Sequence, residues 1–582
     1  MSSPLQQHAN KIIALMNSGN FAQAVKAAKV GMKKFPDEIN FASFAGAALA
    51  QMGKTREAIP YFTKALKHRP GDIGLQDNLI QAKILSGQHD QARALIDKLV
   101  PKRTNPAQLF HLKASSYMQV QEFEATIKAA TQAVTADPSH AASYNLRGVA
   151  LTALHRDEES MKDFEKAHEL TPNDPDPLAN MSLPLSRLNR QDEVITRLEQ
   201  ALQLHPTHMN SLHSYAIQLA QIGQIDEAVK VYKRILDLDP LHGEAYSELV
   251  MTQTRDANIA MEPTLRKALC KAPQKHDSLG HMTLALGNLL LQKGEFEEAG
   301  KNLARANSRL AQTRKYDSAA AKAEFDAIRG MFPLSHETPS GGDELQPRPI
   351  FVIGQPRSGT TLTEMILSAH PDAWSCGELP QGMELSRAVL AGVTPWSPAA
   401  FAAQFRAAMP QLDGAPAVFV DKLPVNYRYV GFLKSAFSRA SFIHLTRDPR
   451  DVAISMWRRA FRDPDMNYTF DLESIAHNAN LYKRYMAHWD AVWGEDILTL
   501  DYRDLVSDIE GASRCMAAHS GLDWVPEMVA PEKNTSRVKT ASVVQVREEV
   551  HQKSLGVWQV LETHLEEFSR ALDPQLWPEL DL

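Results

Sequence analysis

Along the first three hundred residues the apolar positions fall in helix-length blocks, and the breaks between blocks keep a fixed step. Prolines stand at Pro36, Pro70, Pro138, Pro172, Pro206 and Pro240, 34 residues apart except for one gap of twice that length. Gly19, Gly53, Gly87, Gln121, His155, Asn189 and Gly223 form a second series with the same step. Glycine and asparagine suit the left-handed backbone that follows a helix, and proline ends one. The 17-residue offset between the two series therefore predicts two helices per unit. Ala24, Ala58 and Ala92 keep the step as well, small residues that let helices pack closely. The apolar positions of such units are expected to be core, buried against neighbouring units. Thr104 replaces a proline of the series, so 102–106 predicts a distorted junction. After Pro240 the phase slips, Pro273 comes one residue early, and the last helices are expected to cap the array.

The 34-residue period resembles that of the tetratricopeptide repeat (TPR), over about residues 5–305. The resemblance implies an all-α solenoid that presents a groove to a peptide or protein. From 306 the period is gone, and 335–349, rich in Ser, Gly, Pro and acids, reads as a linker. Beyond it the pattern changes to short apolar runs rich in β-branched residues. Strands are predicted at 349–353, 417–420, 441–446 and 497–500, with helical patterns between them. The expected organisation is α followed by α/β: a repeat solenoid at 1–305, a helical connector and linker at 306–347, and an α/β domain with a central parallel sheet at 348–582.

A chain of 582 residues exceeds one hydrophobic core. With 44% hydrophobic and 23% charged residues it sits in the ordinary globular range. Its net charge of -6 provides no overall basic field, so nucleic acid is not an expected partner. Cys270, Cys376 and Cys515 are far apart and make neither a disulfide framework nor a zinc site. No run of 18 apolar residues occurs, and polar residues from Gln6 to Lys11 interrupt any signal-like core. The expected location is cytoplasmic, without membrane association.

The chemistry concentrates after the change of pattern. The run at 349–353 leads directly into Gly354-Gln355-Pro356-Arg357-Ser358-Gly359-Thr360-Thr361 and then a helical pattern. Strand, glycine loop and helix together make an anion nest of backbone amides, with the spacing of a P-loop. Thr360 stands where the P-loop lysine belongs, and Arg357 lies inside the loop, which weakens a nucleotide triphosphatase reading. A second strand at 441–446 ends in Arg447-Asp448-Pro449-Arg450-Asp451, followed by a helix predicted over 452–460. Ser455 and Arg459, four apart, would share one face of it, and with Arg447 they can converge on a second phosphate.

These two segments resemble the 5′-phosphosulfate loop and the 3′-phosphate motif of the sulfotransferase superfamily, which uses 3′-phosphoadenosine-5′-phosphosulfate (PAPS). Ser375-Cys376-Gly377-Glu378, its glutamate 21 residues after Arg357, resembles the tyrosylprotein sulfotransferases, as does Asp421-Lys422-Leu423-Pro424. The resemblance implies that Arg357, Ser358, Gly359, Thr360 and Thr361 hold the phosphosulfate and that Arg447, Ser455 and Arg459 hold the 3′-phosphate. It further implies that Glu378 is the general base, that Lys422 is the lysine of the family's motif, that Tyr502 contacts the cofactor, and that Ser542 and Arg547 form the C-terminal serine motif near the sulfate. Relatives usually carry Lys or Arg just before the tryptophan of Gly556-Val557-Trp558; here it is valine, with Arg547 and Lys553 as the nearby cations.

Sulfuryl transfer needs in-line positioning and stabilised charge on the transferring oxygens, which Arg357, Lys422 and the loop amides can supply. No DxD, HExxH or Cys/His cluster suggests a metal, and none is expected. The expected function is PAPS-dependent sulfation of an acceptor hydroxyl, a peptide tyrosine first, releasing adenosine 3′,5′-bisphosphate. The repeats would recruit a protein acceptor or build a homodimer. Two alternatives stand beside it: a TPR interaction scaffold with a degenerate catalytic module, and a sulfotransferase for glycans or small phenols. A P-loop kinase is the most distant, for want of the loop lysine and a magnesium carboxylate.

Overall fold

Every break in the repeat pattern has a backbone cause. The computed structural model describes residues 3–188, 190–276, 278–335, 347–409, 416–533 and 550–580, and divides into two compact units, Met1–Ser211 and Leu212–Leu582. In the first, helices such as Phe21–Lys34, Asn40–Gln51 and Thr55–His68 alternate with tight turns. Gly19, Gly53 and Gly87 take φ of 73°, 71° and 79°, the left-handed conformation expected of the glycine series. Gln121 and His155 adopt it too, at 59° and 57°, although each carries a Cβ. Asn189 lies outside the described residues. Before Pro36, Pro70 and Pro138, the residues Phe35, Arg69 and Asp137 swing to φ of -132°, -129° and -145°, since the proline ring excludes a helical predecessor. Where Thr104 breaks the series, helix His89–Leu99 runs on into a 3-10 turn, Val100–Lys102. Ala24, Ala58 and Ala92 are fully buried. Gly46 and Gly148, 102 residues apart, each face a phenylalanine so closely that an added Cβ would sit 2.7 and 2.6 Å from the ring.

The second unit is built around a five-stranded, wholly parallel sheet: β1 (Arg348–Gly354), β2 (Ala373–Gly377), β3 (Val418–Asp421), β4 (Ser441–Thr446) and β5 (Ile497–Asp501), in the order β2-β3-β1-β4-β5. β1 is central and buried from Pro349 to Gly354, as a continuous apolar run covered on both faces must be. From β1 the chain crosses to β2 at one edge, whereas from β4 it crosses to β5 at the other. The ends of β1 and β4 therefore flank a topological switch point, where ligands of open parallel sheets bind.

The end of the repeat array behaves differently from the expected cap. A capping helix keeps one polar face, but Leu279–Lys293 is apolar nearly all round and buries 12 of its 15 residues. It shares one hydrophobic core with Phe296–Leu310, with Phe325 and Ile328 of the connector helix Ser318–Met331, and with Phe351 of β1 and Trp489. The helices up to 305 that continue the repeat pattern from Leu212 onward belong to the second compact unit. Most of the expected linker, 336–346, lies outside the described residues. No described helix is long and apolar enough to cross a membrane.

Candidate functional site

β1 ends in a loop that only its particular residues can make. Gly354 and Gly359 have φ of +153° and +113°, and Arg357 stands between them at +73°, left-handed in spite of its side chain. Arg447, directly after β4, donates from Nη1 to the Arg357 carbonyl at 3.0 Å and so holds that strained residue from the neighbouring strand. Arg357 in turn donates from Nε to Ser455 Oγ at 2.9 Å. Arg447 also bonds the Ser554 carbonyl through Nη2 and lays its guanidinium 4.6 Å from the Tyr502 ring centre, while Tyr502 Oη meets Ser554 Oγ at 3.0 Å. That ring closes over Gly359: a Cβ there would lie 2.4 Å from Tyr502 Cδ2.

A cavity of about 610 Å³ opens at this point, within the usual range for small-molecule sites, lined by Gly359, Thr360, Thr361, Ser455 and Tyr502. Among the described residues its charged lining is one-sided: Arg255, Arg357, Arg447, Arg458 and Lys553 against the single carboxylate of Asp451. Burial and the neighbouring cations Arg459, Arg447 and Arg458 push the Arg357 pKa down to about 9, and burial with Arg459 lowers Arg458 to about 10. Ser358 Oγ and Arg447 Nε are buried without a hydrogen-bond partner among the described residues. Asp451 accepts from the amides of Gly556 at 2.8 Å and Trp558 at 3.1 Å, which sets Val557 and Lys553 at the cavity wall. A second cavity of about 840 Å³, against His444 and Tyr482, mixes Lys483 and Arg503 with Asp490, Asp501 and Asp504 and lacks this bias.

Beside it lies a charge cluster on the neighbouring strand ends. Glu378 follows β2 and Lys422 follows β3, and these strands are parallel neighbours with a register shift between Ser375 and Gly377. Lys422 donates its amide to the Gly377 carbonyl at 2.8 Å, and its Nζ lies 2.5 Å from Glu378 Oε1 and 3.7 Å from Glu364 Oε2. Lys422 is buried and Glu378 is exposed. Burial alone would lower the lysine pKa, but Glu378 and Glu364 outweigh it and the net displacement is upward. Glu364, on the loop helix Thr360–Leu367, is held by Ser375 Oγ at 2.6 Å. Among the described residues no group of three His, Cys, Asp or Glu is placed to hold a metal.

Residues 349–526 match the model described as the sulfotransferase family, and 49–115 and 111–175 match tetratricopeptide repeat models. The chain joins tetratricopeptide repeats to a sulfotransferase-family domain. An uncharacterized protein of Aquifex aeolicus (strain VF5) is 30% identical over 349 residues, 55% of this chain and 46% of its own. The chain thus spans about half the length of that relative. Among solved structures, a thermophilic TPR protein of Thermus thermophilus is 18% identical over 31% of this chain and 99% of its own, with a TM-score of 0.29. The APC/C hetero-tetramer Cut9-Hcn1 is 13% identical over 50% of this chain and 56% of that one, at 0.35.

Within the sulfotransferase domain, Arg357, Gly359, Thr360, Thr361, Arg447, Ser455 and Tyr502 come together in one cavity, with Ser358 buried beneath the loop. Glu378 and Lys422 meet each other in the adjoining cluster. Ser542 and Arg547 lie outside the described residues. Arg459 is not in the cavity lining. The helix expected to reach 460 ends at Trp457, and Arg459 follows it, first among the cations that lower the Arg357 pKa and also within the influence of Glu248 and Tyr232. Arg458 is in the lining. Arg458, Arg255 and Glu364 escaped the sequence reading. The available signals were the Arg458-Arg459 doublet and a lone acid in the apolar helix carrying Glu364.

Proposed function

We propose that the domain transfers a sulfuryl group from PAPS to an acceptor hydroxyl, a peptide tyrosine first, with Glu378 as general base. The observation that carries this reading is the gathering of arginines at the switch point of the sheet, Arg357, Arg447 and Arg458 half-buried and Arg255 at the rim: positive charge concentrated in one cavity suits a polyanionic ligand. Ser358 Oγ and Arg447 Nε, buried without a partner among the described residues, fit such a ligand. Bound PAPS supplies the sulfuryl group and leaves as adenosine 3′,5′-bisphosphate. Arg357, Ser358, Gly359, Thr360 and Thr361 hold its phosphosulfate end, while Arg447, Ser455 and Arg459 hold the 3′-phosphate. The cations gather negative charge on oxygens, the largest contribution protein groups make to such a transfer.

Glu378 receives the acceptor proton on a carboxylate edge that solvent reaches, with Lys422 fixing its orientation. Lys422 keeps its own proton, since Glu364 and Glu378 raise its pKa. A tyrosine phenol, with an ordinary pKa of about 10, releases its proton more readily than a sugar alcohol. The repeats bring in the protein that carries that tyrosine. Valine at 557 in the cavity wall favours a second reading, an interaction scaffold with an inactive module.

Incubation of the full chain with radiolabelled PAPS and a tyrosine peptide tests the first reading. Label enters the peptide, and Glu378→Gln lowers the rate by about 10²-fold or more. Wild-type turnover by Glu378→Gln removes Glu378 from its role, and label in sugars or free phenols but not in the peptide changes the acceptor class.

A further inference from the structure

The anion cavity has a wall that the sulfotransferase-family segment does not supply. Arg255, the first residue of helix Arg255–Lys271, stands in the lining together with Gln292 from the last turn of Leu279–Lys293. Both belong to the helices that close the repeat array. Arg255 is anchored there, since its Nε donates to the Gln292 carbonyl at 2.8 Å. The Gln292 side chain is fixed in turn: Oε1 accepts from Asn258 Nδ2 at 2.7 Å and Nε2 donates to the Val250 carbonyl at 3.3 Å. Asn258, fully buried, also donates to Val250 O at 2.8 Å and accepts from Gln253 at 2.7 Å. Buried polar side chains joined in this way fix one geometry, because any other leaves partners unmet.

The same helices hold Arg458. Asn288, 1% exposed, donates to the Arg458 carbonyl at 2.9 Å and accepts from Arg458 Nε at 2.8 Å, so a single side chain clamps that arginine at both ends. One helix further on, Asn307 donates to the Trp457 carbonyl at 2.8 Å. These two carbonyls belong to the end of helix Pro449–Trp457, where a helix has no partners of its own for them. Two buried asparagines on neighbouring helices thus satisfy the end of the helix that bears Ser455 and set the direction in which Arg458 enters the cavity.

We infer that the closing helices of the repeat array form part of the donor site, with Arg255 and the Asn288-clamped Arg458 as an added anion subsite for the nucleotide bisphosphate. The inference rests on the PAPS reading above and extends it, since the binding cavity then needs residues well upstream of 349. Arg255 is exposed at the rim, so its removal leaves the core intact.

Calorimetric titration of the full chain with adenosine 3′,5′-bisphosphate provides the test. Arg255→Ala is expected to weaken binding about fivefold and to make its ionic-strength dependence shallower. Arg255→Glu weakens it further, and Arg255→Lys restores most of the loss. Asn288→Asp adds a carboxylate beside Arg458 and competes for it, again weakening binding. Binding by wild type that Arg447→Ala abolishes, with Arg255→Ala and Arg255→Glu both at wild-type affinity, overturns the subsite while leaving the donor reading in place. Absence of binding by wild type overturns both.

Discussion

Gly359→Ala probes the loop where backbone, ring and cation meet. A φ of +113° is closed to a residue with a Cβ, and adopting it costs about 1–3 kcal/mol. The new methyl would lie 2.4 Å from Tyr502 Cδ2 and 2.9 Å from Cε2, so the ring must retreat by about 1 Å to reach ordinary contact. Its retreat weakens the stacking of Arg447, worth about 0.5–2 kcal/mol, and the Tyr502–Ser554 hydrogen bond, worth about 0.5–1.5 kcal/mol. The whole comes to about 2–6.5 kcal/mol, and the displaced ring enters the space proposed for the donor. Gly392→Ala is the control. Its φ of +69° carries a similar backbone cost, but no atom lies within 4 Å of the added Cβ and the site is untouched. Thermal melts should therefore show both variants destabilised, Gly359→Ala the more, whereas calorimetry with adenosine 3′,5′-bisphosphate should show binding lost only in Gly359→Ala. A Gly359→Ala protein that melts and binds like wild type would refute the reasoning about this loop.

Ser358→Ala removes a buried hydroxyl that has no partner among the described residues, so stability is expected to hold or to rise by up to about 1 kcal/mol, while donor affinity falls; chemical denaturation and titration separate the two effects. Asp421, with Oδ1 on the Leu379 amide and Oδ2 on Asn426, has its pKa raised to about 8 by burial. The folded protein then holds a proton that the unfolded chain loses near pH 4, so stability falls as pH rises from about 4 to 8, by up to ~1.4 kcal/mol per unit. Denaturant midpoints across that range should slope downward in wild type, and the slope should flatten in Asp421→Asn. In the repeats, Gln121→Gly places at a φ of 59° the residue that Gly19, Gly53 and Gly87 already supply, and a gain of about 0.5–1 kcal/mol in the first transition on melting is expected.

Much of this was legible in the sequence because it depends on local chemistry. Glycine and proline spacings fix left-handed turns and extended pre-proline residues whatever surrounds them, and the period alone located Gln121 and His155, whose types give no hint. The loop after β1 and Arg447 after β4 were legible because they follow β-branched runs directly. Arg458 was not, since its place depends on a helix that stops at Trp457, and a stop two or three residues early turns the face that an i, i+4 pairing assumes. The cavity's upstream wall was hidden for another reason. A repeat period shows that helices stack but not which of them also share the core of the domain that follows, and the apolar character of Leu279–Lys293 all round was the trace of that second role. Glu364 was passed over because a single acid in a short helix gives no sign of the lysine it meets from another strand.

Calorimetric titration of the full chain with adenosine 3′,5′-bisphosphate, beside Arg447→Ala, tests the central claim without knowledge of the acceptor. The arginine cluster at the switch point predicts binding at one site in the micromolar range, weakened by salt and abolished by Arg447→Ala. Absence of binding by wild type, or binding that Arg447→Ala leaves unchanged, would contradict a donor site at the ends of β1 and β4.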